Sequence, residues 1–116
     1  MKMKVEILYF DGCPSYGSAE KTLKGVLASV GIEAEVELVA VNTDEEAHRL
    51  RFPGSPTFRV DESDLFTASA PAPEREDWGL GCRVYATPEG LQGSPTAGML
   101  REALETRRDT YANSDI

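Results

Sequence analysis

Apolar and polar positions along the chain switch between strand-like and helix-like spacing. Val5 to Phe10 is a short apolar run rich in strand formers, interrupted by Glu6 and ended by Asp11-Gly12. Apolar residues on both faces predict a central strand. Tyr16, Ala19, Leu23, Val26, Leu27 and Val30 then recur at helical spacing, with Lys21 and Lys24 between them. Gly31 supplies the C-terminal stop of that helix. Ala34, Val36, Leu38 and Ala40 alternate with Glu35, Glu37, Val39 and Val41, which predicts a second strand.

Thr43 and Glu46 have the spacing of a capping box. The short helix they open carries Ala47 and Leu50 inward and ends near Phe52, where Pro53-Gly54 stops it. Ser55-Pro56-Thr57 introduces a third strand, Thr57 to Val60. Residues 61 to 81 are rich in Asp, Ser, Ala, Pro and Gly and read as a long loop. A loop of that length in a compact domain implies a role for it. Cys82 to Ala86 is predicted as a fourth strand and Pro88-Glu89-Gly90 as a turn. Ser94-Pro95 reads as the N-cap and first turn of a last helix, with Met99, Leu100, Ala103 and Leu104 on its inner stripe. Asp109 to Ile116 reads as a frayed tail behind a single domain spanning residues 1–108.

The order β-α-β-α-β-β-α predicts an α/β fold, a four-stranded mixed sheet packed between helices. The first two strands are expected to be parallel with a right-handed crossover, and the last two antiparallel neighbours. Composition agrees with one globular domain: 116 residues, 41% hydrophobic and 28% charged. A net charge of −8 argues against nucleic acid and anionic membranes as partners, since both call for basic patches. No apolar run approaches the roughly 18 residues of a membrane span. Met1 to Phe10 lacks a separate apolar segment and a small-residue cleavage site, so no signal peptide is expected. The two cysteines then point to a reducing, cytoplasmic compartment, where thiols serve chemistry or packing more often than cross-links.

Three segments carry a resemblance: Tyr9-Phe10-Asp11-Gly12-Cys13-Pro14, Gly54-Ser55-Pro56-Thr57 and Cys82-Arg83-Val84-Tyr85. With a cysteine just after the first strand and a proline just before the third, residues 4 to 108 resemble the thioredoxin fold. Within it the chain looks like a bacterial group of thioredoxin-like proteins, sometimes labelled alkylmercury-lyase-like, some of whose members carry selenocysteine where Cys13 stands. The resemblance implies that Cys13 is the nucleophile and that the bond before Pro56 is cis. One departure matters. The family's Cys-x-x-Cys motif reads Cys13-Pro14-Ser15-Tyr16 here, so no disulfide can form within it.

Cys13 is also the best candidate on physical grounds. Free N–H groups and the dipole at a helix N-terminus favour a thiolate. A thiolate opens disulfides and binds soft metals. Asp11 and the acidic chain oppose a second negative charge, so a moderate activation is expected. The alternative is an inert cysteine. Tyr16 has two roles open to it, a hydrogen bond to the sulfur or simple packing at the helix start. A cis Pro56 would turn the Ser55 backbone outward, letting an extended substrate pair with it as an added strand. Cys82 is expected to be a small buried strand residue; the other reading makes it a resolving thiol with Arg83 as charge partner. If it opens the fourth strand it lies about 10–13 Å from the Cys13 end, too far for the roughly 7 Å a disulfide allows, so no Cys13–Cys82 bridge is expected.

The remaining candidates point to bland roles. His48 and the cluster Asp61, Glu62 and Asp64 read as solvated, so no metal site is expected. Trp78 reads as a pocket lid or a loop anchor. No glycine-rich phosphate loop exists, so no organic cofactor is implied. The leading reading is a monothiol thiol–disulfide oxidoreductase. Cys13 attacks a small-thiol or protein disulfide positioned by Ser55, Pro56 and Tyr16, and an external thiol resolves the product. Two other classes stay open: a soft-metal or organomercurial binding protein using Cys13, and a redox-inactive interaction module.

Overall fold

A computed structural model describes residues 3–12, 16–61, 63–66 and 83–114. It is a mixed α/β structure built on a four-stranded mixed sheet with three helices. The first strand, β1 (Met3–Tyr9), is central, as its doubly apolar sequence predicts. β2 (Ala34–Ala40) runs parallel to it, from Met3↔Ala34 to Tyr9↔Ala40. β3 (Thr57–Val60) lies antiparallel on its other side, with Ile7 opposite Phe58 and Leu8 opposite Thr57. β2 forms one edge of the sheet, with Glu35 and Glu37 exposed.

Strand periodicity divides the core between the two faces. Met3, Val5 and Ile7 point to one face and join Phe58 and Val60 in the main core. Helix α1 (Tyr16–Val30) covers that face with Ala19, Leu23, Val26 and Leu27. It ends as predicted at Gly31, with φ +70°, and Ile32 N–H bonds back to Leu27 O, which satisfies a last-turn carbonyl. Leu8 points to the other face. There it packs with Val41, Ala47 and Phe52 under α2 (Asp44–Leu50). The Thr43–Glu46 capping box forms, with Glu46 N–H donating to Thr43 Oγ1 at 3.1 Å. α2 stops at Leu50, ahead of Pro53-Gly54, because Arg51 takes the left-handed conformation and Phe52 turns into the core.

The C-terminal half departs from the sequence reading in three places. The fourth strand of the sheet is β4 (Ser63–Asp64), antiparallel to β3, and not Cys82–Ala86. Asp61 adopts a positive φ of 51° and reverses the chain directly after β3. That fills the sheet edge. Tyr85–Thr87 (β5) pairs instead with Gly90–Gln92 (β6) in a separate hairpin around Pro88-Glu89. The last helix, α3 (Ala97–Ser114), is capped by Thr96 and not Ser94: Met99 N–H donates to Thr96 Oγ1 at 3.2 Å. Its backbone runs on through 109–114, the segment read as a frayed tail. Leu100 and Leu104 bury its inner stripe against α1. Among the described residues, no helix is long and apolar enough to cross a membrane.

Candidate functional site

The register of β1 and β3 sets the site. Leu8 pairs with Thr57, so Pro56 stands alongside the C-terminal end of β1. From that end the chain leads through Asp11-Gly12 to Cys13, and α1 opens at Tyr16. The Tyr16 ring stacks on Tyr9, the last residue of β1, at 4.3 Å between centroids and 19° between planes. This is packing at the helix start, one of the two roles open to Tyr16; a hydrogen bond to the Cys13 sulfur falls outside the described residues. The Ser55–Pro56 bond is cis. Cys13, Cys82, Glu62 and Trp78 lie outside the described residues.

The backbone before β3 is held from inside. Thr57 Oγ1 donates to Gly54 O at 2.6 Å. Arg83 N–H donates to Ser55 O at 3.0 Å. The Tyr85 hydroxyl donates to Pro56 O. The three successive carbonyls of Gly54, Ser55 and Pro56 thus each accept from within the chain. Ser55 and Thr57 are 0% exposed. The outward Ser55 edge inferred from the sequence is therefore not an open edge: residue 83 already bonds to it. Gly54 makes this approach feasible. Its φ is +141°, and a Cβ there would come within 2.9 Å of Arg83 N.

Arg83 is the hub. Its guanidinium pairs with Asp64 at 2.9 Å, with the Arg83 side chain 3% exposed. It also donates to Thr57 Oγ1 at 3.3 Å and Phe66 O at 3.2 Å. Its carbon lies 5.1 Å from the Tyr85 ring centroid. This corrects one sequence expectation: Asp64 is a partly buried ion-pair member, bound to Arg83, and not a solvated turn residue. Sequence reasoning missed the trio of Asp64, Arg83 and Tyr85. Asp64 is far from Arg83 and Tyr85 in the chain, and no local spacing links it to them. The contact to Ser55 also removes the premise that kept Cys82 distant, since residue 83 lies at the Pro56 end of β3 and not at the opposite end.

Tyr85 is fully buried between Phe66 and Arg83. Burial pushes its phenol well above the ordinary tyrosine range; the Asp64 charge adds to this and Arg83 opposes it. A pKa raised in the folded state gives stability that is intact below the unfolded value, about 10, and lost as pH rises beyond it. We expect the urea midpoint to fall above about pH 10, and to fall less steeply in Tyr85→Phe. Parallel pH profiles for the two proteins would exclude Tyr85 from that loss.

Elsewhere, a cavity of about 460 Å³ lies between α3 and the hairpin, lined by Leu65, Ala86, Pro88, Met99 and Ala103 among others. Among the described residues, Tyr16, Ser55 and Pro56 do not line it. His48 is exposed, and among the described residues no three His, Cys, Asp or Glu side chains gather as a metal site. No protein-family model matches the chain, and no curated protein or solved structure matches it.

Proposed function

We propose that the chain is a thioredoxin-like, monothiol thiol–disulfide oxidoreductase of a reducing, cytoplasmic compartment, acting through Cys13. The observation that carries this reading is the Leu8↔Thr57 register, which sets the Ser55-Pro56-Thr57 segment beside the strand end that leads into Asp11-Gly12-Cys13. The Tyr9–Tyr16 stack supports it by holding the end of β1 against the start of α1, the two points between which Cys13 falls in the sequence. In the reaction the Cys13 thiolate attacks one sulfur of a disulfide. A Cys13 mixed disulfide forms and the other sulfur leaves as a thiolate, which takes a proton from solvent. An external thiolate then attacks the substrate sulfur of that mixed disulfide and releases Cys13 as a thiolate. Tyr16 stands where a resolving cysteine would be, so the second thiol comes from outside the motif. No net electrons stay on the protein.

Cys13 should react with iodoacetamide faster than Cys82 near neutral pH, by about three- to ten-fold, through its larger thiolate fraction. Peptide mapping of partly alkylated protein reads the two rates. Equal rates, or Cys82 reacting first, would remove Cys13 as nucleophile. Mass spectrometry of protein isolated without reductant adds a second test. A small thiol on Cys13 supports resolution by an external thiol. A Cys13–Cys82 bond makes Cys82 the resolving residue and overturns resolution by an external thiol.

A further inference from the structure

Strand addition by a substrate needs an open backbone edge with unpaired donors and acceptors. The segment before β3 offers none at its carbonyls. Gly54 O is taken by the Thr57 hydroxyl, Ser55 O by the Arg83 amide and Pro56 O by the Tyr85 hydroxyl. Ser55 has no exposed surface. The occupant is fixed in place: the Asp64 carboxylate, Thr57 Oγ1 and Phe66 O hold the Arg83 guanidinium, and Gly54 leaves room for its backbone. An extended polypeptide would have to displace residue 83 and strip the Arg83 N–H from Ser55 O before it could pair there.

We infer that the site takes small, low-molecular-mass disulfides and excludes extended polypeptide disulfides, because the chain's own Arg83 and Tyr85 occupy the edge that a peptide strand would use. This rests on the oxidoreductase reading. A disulfide of two small thiols needs only access to the nucleophile and no backbone pairing, so the filled edge does not hinder it. Tyr85 acts here as a positioning residue: it holds Pro56 O and so keeps the edge closed. The exchange step itself is unchanged, with one sulfur bound by Cys13 and the other released as a thiolate.

The test compares kcat/KM for bis(2-hydroxyethyl) disulfide with that for a linear ten-residue peptide carrying one cysteine capped by the same mercaptoethanol. Each rate is divided by the rate of the same disulfide with free thiolate. We expect the small disulfide to be favoured at least ten-fold, the factor that a lost pair of backbone hydrogen bonds represents. Tyr85→Phe keeps the ring and loses one bond to the edge. It should narrow the preference about five-fold through a lower peptide KM, with iodoacetamide alkylation of Cys13 unchanged. Equal corrected rates for the two substrates overturn the inference. So does a Tyr85→Phe protein in which both substrates and the alkylation rate shift together, which would indicate a merely structural residue. If neither disulfide reacts, the oxidoreductase reading fails. Hydrogen exchange at the Arg83 amide then judges the filled edge by itself. Protection that persists in millimolar peptide, with the disulfide absent, supports it, and loss of protection overturns it.

Discussion

Gly54→Ala should lower the unfolding free energy by about 2–6 kcal/mol, from backbone strain and overpacking together. The backbone there has φ +141°, a region that side chains rarely enter. Holding a non-glycine residue in it costs about 1–3 kcal/mol. The new methyl would also lie 2.9 Å from Arg83 N and 3.0 Å from Arg83 Cα, where the neighbour is backbone and cannot swing away. Forcing extra volume into such a contact adds about 1–3 kcal/mol. Gly31→Ala is the control, because Gly31 also has a positive φ, +70°, but nothing lies within 4 Å of its added Cβ. That change should cost only about 1–2 kcal/mol. Urea midpoints at constant slope measure both. If Gly54→Ala loses no more than Gly31→Ala, the close approach of Arg83 is wrong.

Asp64→Ala should be comparably severe, about 3–5 kcal/mol, because it strands a buried positive charge. The Arg83 side chain is 3% exposed, and Asp64 is the carboxylate paired with it. Asp64 Oδ1 also accepts from Phe66 N–H at 2.8 Å, so the same change frees a turn amide. Replacing both charges, as Asp64→Leu with Arg83→Met, removes the stranded ion and should recover at least half of the loss. The recovery stays incomplete because the guanidinium also holds Thr57 Oγ1 and Phe66 O. A double-mutant cycle by denaturation reads the coupling. A single-variant loss under about 1 kcal/mol, the size of an exposed pair, would show that this ion pair is solvated in practice.

The N-terminal half of the fold was legible because its signals are local. Tyr16 to Val30 shows several turns of periodicity, Gly31 stops it with the one residue that enters a positive φ freely, and Thr43 and Glu46 cap the next helix across three residues. The C-terminal half turns on contacts that no window of sequence contains. β4 is two residues long, too short to show an alternation, and it displaced Cys82–Ala86 from the sheet. Thr96, not Ser94, caps α3, since two hydroxyl residues compete within three positions and propensity alone does not choose. At the candidate site, Pro56 and Tyr16 could be picked out by position relative to the strands. Asp64 and Tyr85 could not. Asp64 read as one of several acids in a polar loop, and its meaning depends on Arg83, which reaches it only in the folded chain.

The edges of the sheet also govern how copies of the chain meet one another. An unpaired strand invites a second copy to add to it and seed growth of a fibre. On the β2 side Glu35 and Glu37 are exposed, Glu37 paired with Lys4 at 3.6 Å, and an identical copy brings the same acidic strand on a chain of net charge −8. On the β4 side the strand spans only Ser63 and Asp64, and Arg107 covers it by donating to Ser63 Oγ at 2.8 Å and Asp64 O at 3.3 Å. One edge is defended by repulsion and the other by brevity and a side-chain cover, so sheet-to-sheet polymerisation is opposed at both ends.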